Sequence, residues 1–305
     1  MAGRFAPSPT GDLHLGNLRT AAIAWLSARA AGVGFLVRME DLDRSQASGE
    51  HERRQLADLA RLGLDWTGDL VRQSERFDRY EEAITHLDRA GLVYECYCTR
   101  REIRAEIEAA PRAPHLPPGA YPGTCRELTE VRRRERRRAG RPPALRLRAD
   151  GESVAFDDRV HGRVTGAVDD VVLRRNDGVP AYNLAVVVDD AAQGVTEVVR
   201  GDDLLSSTAR QIHLQQLLDL PRPRYAHVPL VLGPDGERLA KRHGAVTLEQ
   251  LSAFGCGPEW VVGWILGTLG LDEAADDEAT FAELGDRFRW DLLDRAAVAA
   301  PVVTG

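Results

Sequence analysis

Cysteine is scarce in this chain, with four among 305 residues, at positions 96, 98, 125 and 256. So few thiols, so unevenly spread, exclude the disulfide framework of a small secreted domain. Long apolar runs are missing as well. No stretch approaches the roughly 20 residues of a membrane helix, and no apolar segment of signal-peptide type precedes the first motif. Positive charge is not in excess: 40 Lys and Arg stand against 47 Asp and Glu, for a formal net charge of -7. That balance argues against a generally basic coat for nucleic acid, while leaving room for one local basic surface. The glycine patterns of dinucleotide-binding folds and of P-loops are also absent from the places that would matter. A soluble cytoplasmic protein of about two domains, able to bury a substantial core, is the expectation.

The first stretch carries most of what is present. Residues 3–16 read Gly-Arg-Phe-Ala-Pro-Ser-Pro-Thr-Gly-Asp-Leu-His-Leu-Gly. Proline fixes φ and glycine permits close backbone approach, so this is an abrupt passage from strand through loop to helix. Leu18, Ala21, Ala22, Trp25 and Leu26 follow at helical spacing. The loop therefore meets a helix N-terminus, where free N–H groups and the macrodipole attract phosphate. His14 and Gly16 lie where such an anion would rest. Gly34 to Glu40 reads as the second strand of a βαβ unit. Ligands of open α/β sheets bind beyond the carboxyl ends of strands, which places Glu40 to meet a substrate ammonium group. A salt bridge to Arg38 or Arg44 is the competing role. Leu56, Leu59 and Leu62 mark an amphipathic helix stopping near Gly63, and Arg76 to Ala90 another.

From Cys96 to about Arg148 the character changes, in what reads as an insertion between two halves of a nucleotide fold. Cys96, Cys98 and Cys125 flank a proline-rich stretch. Three cysteines in a small irregular module point to structural zinc, because a closed tetrahedral site supplies folding energy that a short loop cannot obtain from burial. Three reduced, buried thiols are the alternative. Chemistry nominates His115 as fourth ligand. The arginine-dense helix Val131 to Arg138 either meets RNA phosphates or is a solvated face. Strand-like alternation returns at Leu145/Leu147 and Val154/Phe156. Gly194 to Asp203 reads as a buried parallel strand ending in a charged cluster. Its Arg200 either holds a carboxylate by paired hydrogen bonds or pairs with Asp202 or Asp203. A helix through Arg210, Leu214 and Leu217 leads on to a glycine-flanked loop, Gly233 to Arg242, whose Lys241 suits a triphosphate.

In this order the runs resemble class I aminoacyl-tRNA synthetases in their glutamyl-specific form. His14-Leu15-Gly16-Asn17 stands on the "HIGH" signature and Arg238-Leu239-Ala240-Lys241-Arg242 on the "KMSKS" loop. Asn17 and Ala240 depart from the usual residues and remove possible phosphate contacts. The resemblance implies an α/β class I fold with a Rossmann-type parallel sheet. Its parts would be a first catalytic half at 1–95, a zinc-type insertion at 96–148, a second half at 149–246 and a small helical cap at 247–305. The cap would run through Leu248 to Leu269 and then Phe281 to Ala300. By the same resemblance Arg4, Ala6, Ser8, Glu40, Tyr182 and Arg200 bind glutamate. His14, Gly16, Asn17 and Lys241 bind ATP with its Mg2+, His14 and Lys241 being catalytic. Tyr121, rather than His115, then joins Cys96, Cys98 and Cys125 on Zn2+.

Only 64 residues follow Lys241, too few for the anticodon-reading domains of glutamyl-tRNA synthetases. The resemblance narrows accordingly to short enzymes of this kind that attach glutamate to the cyclopentene ring of queuosine in the anticodon of tRNA(Asp). L-glutamate, ATP and queuosine-modified tRNA(Asp) are the expected partners of a monomer with no membrane association. A minimal glutamyl-tRNA synthetase charging an acceptor end, and a non-catalytic tRNA-binding paralogue, are the alternatives.

Overall fold

The computed structural model describes residues 1–109, 120–239, 243–244, 246–271, 281 and 287–301. Strand β1 (Ala2–Phe5), buried along its whole length, passes through the proline loop into helix α1 (Leu15–Ala30). α1 is apolar on nearly every side, which places it inside the molecule. Leu18, Ala22, Trp25 and Leu26 are fully enclosed. Trp25 also donates its indole N–H to the Asp65 carbonyl at 3.0 Å, and its truncation to alanine would cost about 3–5 kcal/mol. The chain returns along β2 (Gly34–Met39), parallel to β1 from Ala2↔Gly34 to Phe5↔Val37. Helix α2 (Gly49–Arg61), capped where Ser48 accepts from the Glu50 N–H, leads to β3 (Val71–Arg72) beside β2.

After α3 (Phe77–Arg89) the chain leaves this sheet. β4 (Val93–Cys96), α4 (Arg100–Ala109) and α5 (Glu130–Arg138) precede β5 (Ala144–Leu147), which runs antiparallel to β4. β6 (Ser153–Asp158) and β7 (Gly162–Ala167) form a hairpin, and β8 (Val172–Arg174) pairs with β5. α6 (Tyr182–Ala192), β9 (Glu197–Gly201), α7 (Leu205–Leu217), β10 (Arg224–Val228) and β11 (Val231–Leu232) follow. β10 is parallel to β9 along its length and to β6 at Tyr225↔Asp158.

A parallel bridge between Ala2 and Val195, with the Thr196 N–H donating to the Ala2 carbonyl at 2.9 Å, joins the two halves. Strand order across the joined sheet is then β7-β6-β10-β9-β1-β2-β3. From β1 the chain works outward to one side and from β9 to the other. The crevice beyond the carboxyl ends of β1 and β9 is therefore the topological switch point, where ligands of such sheets bind. Two apolar clusters flank the sheet, one around α1 with Val37, Val199 and Ile265, the other around α3, α6 and α7 with Phe156 and Val198. Val198 and Val199 point to opposite faces, as adjacent strand residues must, and cover on both sides explains strands that are apolar throughout.

Helix α8 (Leu248–Ala253) opens with a capping box of Thr247 and Gln250, and α9 (Pro258–Gly267) with a proline where no N–H is needed. Buried Arg19 ties α1 to this region, donating to the Pro229 carbonyl at 3.1 Å and to Thr268 Oγ1 at 2.9 Å. Of the second helix expected at the end of the chain, Phe281 to Ala300, residues 282–286 lie outside the described residues and the part from 287 on is corrected. Beyond position 287 the chain makes a 3-10 turn at Trp290–Leu292 and then strand β12 (Val298–Ala299), parallel to β11. Alanine-rich residues 296–300 favour helix by propensity. Here the Val298 and Ala300 amides donate to the Leu230 and Leu232 carbonyls at 3.0 and 2.8 Å, and tertiary pairing overrides propensity. No helix among the described residues is long and apolar enough to cross a membrane.

Candidate active site

At the switch point lies a cavity of about 670 Å³. The loop after β1 brings Ala6 and Ser8 to its wall, the residue after β2 is Glu40, the first turn of α6 supplies Tyr182, and β9 supplies Arg200. Arg4 of β1 and His14, Gly16 and Asn17 at the start of α1 line the same space. Lys241, with Ala240 and Arg242, lies outside the described residues, as does His115. The loop is pinned from behind. Gln55 of α2 donates from Nε2 to the Ser8 and Gly11 carbonyls at 3.0 and 2.6 Å, and the Glu40 N–H donates to the Pro7 carbonyl at 2.9 Å.

Charges beneath this wall are buried and paired. Arg4 donates from Nε to Asp190 Oδ1 at 3.4 Å and from Nη1 to the Val199 carbonyl at 3.2 Å. Arg38, wholly buried, donates to the same Asp190 oxygen at 2.7 Å, to Gln193 Oε1 at 2.8 Å and to Glu40 Oε1 at 3.3 Å. Groups so deep are tolerated only with partners. Burial works to raise the Asp190 carboxyl, but Arg38 and Arg4 overcome it and hold it below the usual range. At Glu40 burial prevails and pushes the carboxyl up, against the pull of Arg38 and Arg4. The salt bridge that competes with a substrate role for Glu40 thus exists, to Arg38; Arg44 donates instead to the Ser74 carbonyl. Glu40 still lines the cavity, and a cation brought against it would favour its ionised form.

Arg200 does not pair with Asp202 or Asp203. It donates from Nε to His227 Nε2 at 3.0 Å, from Nη1 to Gln211 Oε1 at 2.8 Å and from Nη2 to Thr208 Oγ1 at 2.8 Å. Of the five N–H groups of a guanidinium, two then remain for a bound carboxylate. Asp203 instead receives Arg238, from the loop after β11, at 2.5 Å.

His14 caps α1. Its Nδ1 accepts from the Asn17 N–H at 3.3 Å while Asn17 Oδ1 accepts from the His14 N–H at 3.2 Å. This reciprocal box gives Asn17 a use other than a phosphate contact. With Nδ1 accepting, the ring proton sits on Nε2. Burial, reinforced by Arg238, lowers the pKa of His14 to about 4, so near pH 7 the ring is neutral and donates only from Nε2. Gly16 leaves room for it: a Cβ there would stand 3.0 Å from His14 Cε1.

A second cluster lies where β4 leaves the sheet. The sulfurs of Cys96, Cys98 and Cys125 lie within 4.8 Å of one another. The Tyr121 hydroxyl stands 3.4 Å from Cys96 Sγ and 3.5 Å from Cys98 Sγ, and accepts from the Cys125 N–H at 2.8 Å. Arg146 lies over the Tyr121 ring at 3.8 Å. Hydrogen bonds from Cys125 and Cys98 pull the Cys96 thiol well below its ordinary value. Ligands of a tetrahedral zinc with Zn–S bonds of about 2.3 Å stand roughly 3.8 Å apart, a spacing this donor set fits. α5, which follows, has no buried residue at all.

Sequence reasoning named Arg38 only as a partner for Glu40 and missed the inner partner Asp190, which lies in an otherwise apolar run. His227 and Asp158 are separated by 69 positions. A charged residue inside an otherwise apolar run was the available signal at Arg38 and Asp190.

A parallel sheet with its cavity at the switch point, and a neutral histidine capping the helix beside it, define a nucleotide-type catalytic domain. A family model described as tRNA synthetases class I (E and Q), catalytic domain, matches residues 1–291, and the chain belongs to that family. It is 63% identical over 270 residues to the glutamyl-Q tRNA(Asp) synthetase of Nocardia farcinica, covering 88% of this chain and 85% of the relative. To the glutamate–tRNA ligase of Nitratidesulfovibrio vulgaris (strain DP4) it is 44% identical over 298 residues, covering 96% of this chain but 62% of that one. The crystal structure of a glutamate tRNA ligase from Elizabethkingia meningosepticum, in complex with its amino acid, superposes with a TM-score of 0.83 at 26% identity, over 98% of this chain and 66% of the other.

Proposed function

We propose that the chain activates L-glutamate with ATP and passes the glutamyl group to queuosine in the anticodon of tRNA(Asp), working as a cytoplasmic monomer. The observation that carries the glutamate half is the gathering of Arg4, Arg200 and Glu40 on one cavity. Two guanidiniums and one carboxylate complement an amino acid with two carboxylates and one ammonium. The relationship to the Nocardia enzyme supports the tRNA half.

In the first step the α-carboxylate attacks the α-phosphorus of ATP in line and pyrophosphate departs, leaving glutamyl-adenylate. ATP enters as its Mg2+ complex, the ion neutralising part of the phosphate charge. No enzyme nucleophile is needed; the residues position groups and stabilise charge. Arg4 and Arg200 hold substrate carboxylate, Glu40 holds the ammonium, and Ala6, Ser8 and Tyr182 shape the pocket. His14 donates from Nε2 to phosphate oxygen beside Gly16 and Asn17 at the α1 N-terminus, where the helix dipole favours negative charge. Lys241 supplies a point charge to the leaving pyrophosphate. In the second step a queuosine hydroxyl attacks the activated carbonyl, AMP leaves, and an ester bond forms. Cys96, Cys98, Cys125 and Tyr121 would hold zinc, whose part is to stabilise the module rather than to react.

Transfer of labelled glutamate, with ATP, onto tRNA(Asp) with and without queuosine, and onto tRNA(Glu), tests this. Label is expected only on queuosine-containing tRNA(Asp), removed if its diol is first cleaved by periodate. Glutamate-dependent ATP–pyrophosphate exchange is expected and should vanish in Lys241→Ala. Label on the tRNA(Glu) acceptor end would make the chain a minimal glutamyl-tRNA synthetase. No exchange and no label would make it a binding module.

A further inference from the structure

We propose that the buried pair Asp158 and His227 positions Arg200 for glutamate without touching the substrate. The inference rests on the glutamate reading of the cavity. The side chains of Asp158 and His227 are both fully buried. Arg200 Nε meets His227 Nε2 at 3.0 Å, and a guanidinium can only donate. Nε2 must therefore accept, which puts the ring proton on Nδ1. There Asp158 Oδ2 stands ready to receive it at 2.7 Å. The carboxylate is itself fixed, accepting from the backbone N–H groups of Val160, His161 and His227 at 2.9, 3.0 and 3.1 Å.

The result is a chain of hydrogen bonds reaching from β6 through β10 to β9. Tyr225 stacks on the His227 ring at 6.2 Å between centroids and 12° between planes, so the imidazole cannot swing away without disturbing that stack. Thr208 and Gln211 of α7 take the two outer nitrogens of Arg200. Three acceptors from two elements thus fix the plane of the guanidinium. An arginine left with rotamer freedom would lose that freedom on every binding event, and substrate affinity would bear the cost. Asp158 contributes by excluding the other tautomer: with its proton on Nε2, His227 would oppose a donor with a donor.

The test compares wild type, His227→Leu, His227→Gln and Thr208→Val in glutamate-dependent ATP–pyrophosphate exchange. In His227→Leu the KM for glutamate is expected to rise about 10- to 100-fold, the size of one lost hydrogen bond to a charged group, with the KM for ATP within about twofold. His227→Gln, whose amide oxygen can stand near the place of Nε2, should restore most of the affinity. Thr208→Val, nearly isosteric, should raise the same KM and serves if His227→Leu does not fold. Unchanged glutamate KM in folded variants, or an equal rise for both substrates, overturns the proposal. Independently of catalysis, 15N NMR should show His227 with a protonated Nδ1 and a bare Nε2; the opposite tautomer or an imidazolium also overturns it. Wild type failing to exchange with glutamate, while showing that tautomer, would refute the glutamate reading instead.

Discussion

The cavity at the switch point and the cysteine module both gather polar, reactive side chains, and they hold them by different means. In the cavity, partners come from far along the chain: Arg4 and Arg38 of the sheet meet Asp190 of α6, and His227 meets Asp158 across neighbouring strands of a sheet covered on both faces. In the module, Cys96, Cys98, Tyr121 and Cys125 lie within thirty residues. The apolar cluster there has five buried members, Tyr94, Cys96, Tyr97, Tyr121 and Cys125. One region is ordered by the fold around it. The other has too little to bury for a core of its own, and in the zinc reading proposed above its convergent donors would make up the difference.

Asp190→Asn should show the largest effect, a destabilisation of about 3–5 kcal/mol in chemical denaturation, because it leaves buried Arg38 and Arg4 without their shared counter-charge. A loss below about 1 kcal/mol would mean that the charge web does not support the sheet, and the contrast would fail. The carboxyl of Asp190 is lowered from 3.8 in the fold, so the native state binds fewer protons than the unfolded one below that value. Wild type should therefore lose stability on acidification below about pH 4 through this group, and the variant should not.

A smaller, more local effect is expected in the module. Metal analysis of protein purified without chelator should find one zinc per chain, and Cys125→Ser should lose it. Its melting temperature should fall by about 5 °C, with faster proteolysis between residues 96 and 148 and glutamate-dependent exchange retained. No stoichiometric zinc in wild type would leave three reduced thiols as the reading of this cluster. Smallest of all, Arg134→Ala on α5 breaks an ion pair with Glu130 between half-exposed groups. Stability should move by no more than about 0.5 kcal/mol.

Much of this was legible beforehand where local pattern and burial agree. The passage from β1 to α1, the strand ending at Glu40 and the apolar strand carrying Arg200 follow from residue pattern, and the residues singled out on them, His14, Gly16, Glu40 and Arg200 by pattern and Arg4, Ala6, Ser8 and Asn17 by resemblance, line one cavity. Three things were not legible, for physical reasons. Asp190 belongs to a run of β-branched residues and alanine whose helical form is decided by packing on α3 and α7. His227 and Asp158 meet through strand order, which spacing does not encode. The end of the chain reads as helix because alanine favours it, while Val298 is claimed by β11 through pairing.

The bridge between Ala2 and Val195 has a consequence for how the molecule is made. β1 can pair with β2 soon after both emerge, but its other edge waits for a strand about 190 residues later. At roughly 5–20 residues per second of synthesis that wait is about 10–40 s. Throughout it the nascent chain carries Arg4 and His14 on a half-sheet with one open edge, a surface on which chaperones or other unpaired strands can act. Contacts of such sequence separation make for slow folding, and the two arginines of the cavity can come together only when β9 closes that edge.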